Sequence, residues 1–286
     1  MSEELKRDFE IGEEIGRGRF GVVHRCASRS TGEAYAVKSV DRSRLSDDLD
    51  RSLAALEPKL ARLAAAGNPG VVQVHAVYED DDWTHTVMDL CTRPDILDWV
   101  RLRCGKPVPE PDATAVVAQI AEALALCHRR GVAHRDVKPD NVLLDATGDG
   151  PPRVRLADFG SAAWVGDGIS AEGARGDSRT TSRPRWSPGA STGRRPTCGA
   201  RGWSCTCSSP AARSRSAARR PPTCSPHVLR GNLRFPPRLF SGVSPAAKDL
   251  MRRMMCRDVY RRFSAEQVLR HPWIVSGGGA RDVQPT

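Results

Sequence analysis

His134-Arg135-Asp136-Val137-Lys138-Pro139-Asp140-Asn141, then Val142-Leu143-Leu144, then Asp158-Phe159-Gly160, is the stretch from which the rest of this chain can be read. It holds two separated acidic positions, Asp136 and Asp158, with a lysine and an asparagine, Lys138 and Asn141, on one loop. Upstream, Glu10 to Ile15 alternates as a strand, and Gly16-Arg17-Gly18-Arg19-Phe20-Gly21-Val22-Val23 turns and re-enters a strand. Ala34-Tyr35-Ala36-Val37-Lys38 is a third strand, with one lysine among apolar neighbours. An Ala- and Leu-rich stretch from about Asp47 to Ala66 reads as a helix containing Glu57; Pro58 is expected to kink or restart it, which leaves a solvent-facing Glu57 as the bland alternative. Val71 to His75 and Thr84 to Met88 read as strands. Asp112 to Arg130 reads as a long packing helix ended by Gly131.

Carboxylates, an amide oxygen and lysines in one place are what phosphoryl transfer from ATP requires: a base for the attacking hydroxyl, cations for the moving charge and oxygen ligands for magnesium. Closely spaced glycines let backbone N–H groups approach phosphates. The octet, the Asp-Phe-Gly triplet, the glycine loop and the strand lysine together resemble the protein kinases, and Lys138 resembles their serine/threonine branch. The resemblance implies an α+β fold of two lobes, a small antiparallel β-sheet lobe with one helix and a mainly helical lobe. It implies that Asp136 accepts the hydroxyl proton, Lys138 steadies the transferring group, and Asn141 and Asp158 hold Mg2+. Lys38 is implied to hold the α- and β-phosphates of ATP while paired with Glu57. The implied nucleotide contacts are Gly16, Arg17, Gly18, Phe20, Gly21, Val23, Ala36, Lys38, the hinge residues Met88, Asp89 and Cys91, and Leu143 as the floor under adenine. Asp95 is open between a contact to the ribose or a substrate side chain and an exposed helix start. His134 is expected to support the loop through hydrogen bonds.

The pattern breaks after Trp164. The resemblance calls for an Ala-Pro-Glu motif and then a helix opening Asp-x-Trp-Ser-x-Gly, and neither is present. Residues 176 to 227 are instead rich in Arg, Ser and Pro and lack an apolar stripe, so they are expected to be irregular or disordered. Between Arg175 and His227 stand eleven arginines and one acid, Asp177, so this segment carries the whole formal charge of +10. The codon junctions from Ser178 to Ser187 permit, one frame over, Pro-His-Tyr-Val-Ala-Pro-Glu-Val-Val. Those from Pro196 to Cys207 permit Asp-Val-Trp-Ser-Ala-Gly-Val-Val-Leu-Tyr-Val. Both missing motifs return in one alternative frame, so a frame-shifted segment is the expectation. RNA or another polyanion is the rival explanation of the arginines, with few aromatic residues to stack on bases.

From Val228 the resemblance resumes and runs to about residue 274, with His271-Pro272-Trp273 near its end. Arg262 is expected to be left without a partner, since the glutamate it would pair with is missing. The expected plan is therefore a tail over 1–8, an N-lobe over 9–90, a C-lobe over 91–175 and 228–275, the aberrant segment 176–227 between them, and a tail over 276–286. Finer features, Glu57-Pro58-Lys59 and Leu229 to Pro236 among them, resemble the plant phosphoenolpyruvate carboxylase kinases, with a calcium-dependent protein kinase fragment as the alternative. No apolar run of about 18 residues exists, and Met1 to Arg7 has no signal-peptide core. The nine cysteines show no repeating spacing and read as free thiols. The expectation is a cytoplasmic monomer acting on a protein substrate, with phosphoenolpyruvate carboxylase a candidate, and with no membrane or nucleic-acid partner. A chain that binds nucleotide without transferring phosphate is the alternative, because the missing motifs would anchor the substrate platform.

Overall fold

The computed structural model describes residues 2–18, 21–45, 48–91, 95–103, 107–145, 152–166, 235–256, 258 and 260–278. Phe20 and the whole of 176–227 lie outside the described residues, as does the tail from 279. The upper lobe is a five-stranded antiparallel sheet in the order β1-β2-β3-β5-β4. Its strands are β1 (Phe9–Arg17), β2 (Gly21–Ser28), β3 (Ala34–Asp41), β4 (Val74–Glu79) and β5 (Trp83–Asp89). Alternation along these strands gives the sheet two distinct faces. Val37 and Val87 stand opposite each other on the outer face and join Cys26 and Leu5 in a small core. Leu5 comes from α1 (Glu3–Asp8), which opens with Ser2 accepting the Leu5 N–H, a polar cap for an otherwise orphaned donor. The stretch expected as a tail thus includes a helix packed on the sheet.

On the inner face Val40 packs with Leu45 and with Ala54 of α2 (Asp48–Ala65). Pro58 sits inside α2, and the helix runs through it. Proline removes one backbone donor, but buried Leu60, Ala64 and Ala65 hold the following turns against the core. The expected restart of the helix is therefore corrected, and Glu57 is buried, not solvent-facing. The strand expected over Val71 to His75 is corrected as well. β4 begins at Val74, while Val71 forms an isolated bridge to Leu156 of the other lobe.

The lower lobe is organised on α4 (Glu110–Arg129), whose Val116, Ile120 and Leu124 are almost fully buried. They pack with Val142 and Leu144 of β7 (Val142–Asp145), Val154 and Leu156 of β8 (Arg153–Leu156), and Phe159. A hairpin register sets β7 against β8, with Leu143 opposite Arg155. β6 (Val132–Ala133) pairs with β9 (Ala163–Trp164), which anchors both ends of the loops between them. α3 (Ile96–Leu102) is capped by Asp95, whose side chain accepts the Asp98 N–H, so the helix-start reading of that acid is the observed one. Four short helices complete the described chain: α5 (Pro237–Phe240), α6 (Pro245–Met254), α7 (Ala265–Leu269) and α8 (Pro272–Val275). Arg262 donates Nε to the Cys256 carbonyl at 2.7 Å, which corrects the expectation of a cation without a partner. A backbone carbonyl close in sequence supplies the acceptor. Cys26, Cys91, Cys127 and Cys256 are free thiols among the described residues.

Candidate active site

Register in the sheet brings the upper half of the site together. Val23 pairs with Lys38 and Lys38 with Thr86, while Ala36 pairs with Met88 in the next row but one, so all share one face. Gly16 pairs with Val23 and closes the row at the glycine loop. Gly18 donates its N–H to the Gly21 carbonyl at 2.9 Å. At Gly21 a Cβ would fall 2.4 Å from the Ser39 carbonyl oxygen, so only glycine permits this close approach. The Arg17 guanidinium is held by Glu14 at 2.7 Å and is exposed. Phe20 lies outside the described residues.

Lys38 is the junction between lobes. Its ammonium lies 2.5 Å from Glu57 Oε1 and 3.0 Å from Asp158 Oδ1, joining β3, α2 and the loop after β8. Only 14% of its side chain is exposed. Burial pulls its pKa down, but the carboxylates of Glu57 and Asp158 outweigh that and hold it above the usual lysine value. For Asp158 burial works upward, and the charge and hydrogen bond of Lys38 prevail, so its carboxyl stays below the usual range. At Gly160 a Cβ would stand 3.2 Å from Asp158 Oδ1 and 3.3 Å from Glu57 Oε2, so a side chain there would crowd both carboxylates.

Below the cleft the loop is built by hydrogen bonds. His134 is 1% exposed, and its Nε2 meets the Ala157 carbonyl at 3.0 Å. A carbonyl only accepts, so Nε2 carries the proton and Nδ1 is free to accept the Asp136 N–H, at 3.3 Å. Burial pushes the imidazole pKa down, which keeps this neutral tautomer in place. The ring also packs on Phe159, 4.6 Å between centroids. His134 thus holds both acidic loops by their backbones, as expected of a supporting residue. Asp136 Oδ2 accepts from Lys138 Nζ at 2.8 Å and from Asn141 Nδ2 at 3.2 Å. Burial lowers the Lys138 pKa less than the Asp136 and Asp158 carboxylates raise it, so the ammonium stays charged beside both acids.

Two of these positions hold backbone conformations that side chains resist. Arg135 has φ 66° and Asp158 φ 62°, the left-handed region where non-glycine residues are uncommon. Arg135 is held there by its Nε bond to the Ser161 carbonyl at 2.8 Å. Strain of this kind persists where surrounding contacts over-determine it, and such places cluster at working sites.

The donor set fits magnesium. Asn141 commits its amide nitrogen to Asp136, at 2.9 Å from the carbonyl oxygen and 3.2 Å from Oδ2, which leaves the amide oxygen as the end able to ligate. Together with the Asp158 carboxylate this gives two hard oxygen donors, the small protein contribution that magnesium takes when phosphates and waters supply the rest. Among the described residues no group of three or more His, Cys, Asp or Glu side chains could hold a metal by itself.

Of the residues read from sequence, Lys38, Glu57 and Asp158 form one set of ion pairs. Asp136, Lys138 and Asn141 form a second, hydrogen-bonded set, with the Lys138 ammonium also in the field of the Asp158 carboxylate. Gly16, Gly18, Gly21, Val23, Ala36 and Met88 belong to the sheet face and loop above it. Asp89 ends β5, Cys91 follows it in the chain, and Leu143 lies on β7. Residues that the sequence reading did not single out are Arg135, whose left-handed backbone aims the loop, and Gly160, whose missing side chain leaves room for the carboxylates.

A two-lobed fold with a strand lysine, a helix glutamate and two loop acids facing one cleft defines a protein kinase, and the family match agrees. The model of the protein kinase domain matches residues 9–274, and the chain belongs to that family. Among curated proteins it is similar to calcium-dependent protein kinase 14 of Oryza sativa subsp. japonica, 31% identical over 285 residues. That match covers 98% of this chain and 52% of the relative. It is also similar to calcium-dependent protein kinases 19 and 9 of Arabidopsis thaliana, 29% identical over 291 residues and 30% over 296, each covering 98% of this chain and 50% of the relative. The chain spans about half the length of the curated relatives it matches.

Proposed function

We propose that this chain is an ATP-dependent serine/threonine protein kinase that transfers the γ-phosphate to a protein hydroxyl. The observation that carries the reading is the double engagement of Lys38 with Glu57 and Asp158, which draws three separate elements onto one ammonium. In this reading Lys38 receives the α- and β-phosphates, and the backbone N–H groups of the glycine loop cover them. The hydroxyl oxygen of the protein substrate attacks the γ-phosphorus, its proton passes to the Asp136 carboxylate, and the bond to the β-phosphate oxygen breaks, releasing ADP. Lys138, beside Asp136 at 2.8 Å, balances the charge on the moving group. Asn141 and Asp158 would hold Mg2+, which supplies neutralisation of phosphate charge when bound. Met88, Asp89, Cys91 and Leu143 would frame the adenine.

The substrate proposed is a metabolic enzyme, phosphoenolpyruvate carboxylase, on the likeness of Glu57-Pro58-Lys59 and Leu229 to Pro236 to the kinases of that enzyme. We propose a monomer acting in the cytoplasm. No helix among the described residues is long and apolar enough to cross a membrane. The second reading, nucleotide binding without transfer, is favoured by the missing Ala-Pro-Glu and Asp-x-Trp-Ser-x-Gly motifs over 176–227, where the frame-shift reading also lies. The test is transfer of labelled γ-phosphate to phosphoenolpyruvate carboxylase by the chain as given and by a version with 176–227 restored to the alternative frame. Transfer by either supports the kinase. Stabilisation by ATP with no transfer from either supports the second reading.

A further inference from the structure

Arg155 takes no part in the chemistry above, yet it joins the hinge to the lower lobe. It lies on β8 opposite Leu143, so both side chains stand on one face of the hairpin. Its guanidinium uses two different N–H groups on two different carboxylates. Nε donates to Asp145 Oδ2 at 2.7 Å, and Nη1 donates to Asp89 Oδ2 at 2.8 Å. Asp145 ends β7 on the lower lobe, and Asp89 ends β5 at the hinge. All three side chains are largely withdrawn from solvent, at 22% to 25% exposure.

Asp89 is fixed from the upper lobe too. Its Oδ1 lies 2.7 Å from His75 Nε2, and its Oδ2 accepts the Gln73 N–H at 3.2 Å. Its own N–H donates to the Gln73 carbonyl at 3.0 Å. The Cys91 thiol, two residues further along the hinge, lies in the same field. Burial first, and then the Asp145 and Asp89 carboxylates, push it up to about 12 against the pull of Arg155. Without the arginine, two half-buried carboxylates would converge on one point and repel, driving hinge and hairpin apart. A planar fork suits this bridging task, since a lysine ammonium would centre on one carboxylate or the other.

We propose that Arg155 is a positioning residue for the nucleotide: by clasping Asp89 of the hinge to Asp145 of the β7–β8 hairpin, it sets the gap between the hinge and Leu143 that admits the adenine ring. The proposal rests on the kinase reading and adds to it the element that holds the adenine slot at working width. The hinge held open part of the time lowers apparent affinity by the fraction of time the slot is competent.

The experiment measures adenosine and ATP binding to the full chain and to Arg155→Met, which keeps the apolar stem and removes both donors. Adenosine is the informative probe because it lacks the phosphates that Lys38 would hold. The expected result is a rise of about tenfold in both dissociation constants, by that population argument. In transfer assays KM for ATP rises while kcat at saturating ATP is kept. Arg155→Lys, retaining one contact, restores part of the affinity. Asp145→Asn, which leaves the hinge pair intact, gives a smaller loss and carries the test should Arg155→Met melt below the assay temperature. Adenosine bound as tightly by folded Arg155→Met or Asp145→Asn as by the parent overturns the clasp, even if melting temperatures fall. A parent chain that binds neither adenosine nor ATP overturns the kinase reading beneath it, which is a separate result.

Discussion

Above the cleft, Val23, Lys38 and Thr86 stand opposite one another in plain antiparallel register. Below it, Asp136 and Asp158 are aimed by left-handed backbone at Arg135 and Asp158 and by hydrogen bonds to His134 and Asn141. The upper residues are placed by a period-two pattern that many side chains satisfy. The lower ones are placed by groups that have few substitutes. The lower edge should therefore lose its chemistry to changes of a single atom, while the upper edge should lose it only through the one charge it carries.

The largest effect is expected at Asp136. Asp136→Asn is isosteric and removes the proton acceptor, so phosphate transfer should fall by about 10² to 10⁴, the usual contribution of a positioned base. The comparison breaks if Val23→Ala, on the upper row, costs as much in the same assay. Lys38→Met comes next. Glu57 would remain buried with its partner gone, and loss of one member of a buried pair costs about 3 to 5 kcal/mol. Urea unfolding measures this, and a midpoint equal to the parent's would show that the lobes are not joined through Lys38.

Leu5→Ala tests the outer face of the sheet, far from the chemistry. Leu5 is fully buried, and such truncations cost about 2 to 5 kcal/mol, with nucleotide affinity unchanged where the fold survives. Loss of affinity in the folded variant would mean that the sheet register is not independent of its outer cover. The smallest effect is with pH. Burial lowers both His85 and His128 to about 4 from an ordinary 6.5. Between those values the unfolded chain takes up protons that the folded chain refuses, so stability falls as pH drops from 6.5 towards 4. Thermal melting across that window should show the fall, and His85→Gln should make it shallower.

The lower edge was the more legible half in the sequence, because its octet and Asp-Phe-Gly triplet are short, contiguous and chemically unusual. Lys38 is readable from its apolar neighbours, whereas Glu57 stays open in the sequence because Pro58 argues against an intact helix. Burial of the residues after Pro58 decided the matter, and burial is a tertiary property that local propensity does not carry. Helix α1 was hidden for the same reason: one turn and a half of charged residues shows no stripe, and the single Leu5 that anchors it acts through contact with Val37 and Val87. The Arg155 clasp links residues 66 apart in sequence, so no spacing announces it.

The central claim is that the upper edge holds a nucleotide and the lower edge works on the hydroxyl. It is tested most directly by titrating ATP with magnesium against the parent chain, Lys38→Met and Asp136→Asn in parallel, under conditions where all three are folded. The account predicts tight binding by the parent, the same affinity for Asp136→Asn, and clearly weaker binding for Lys38→Met. Equal affinities for all three, or no binding by the parent, would contradict it.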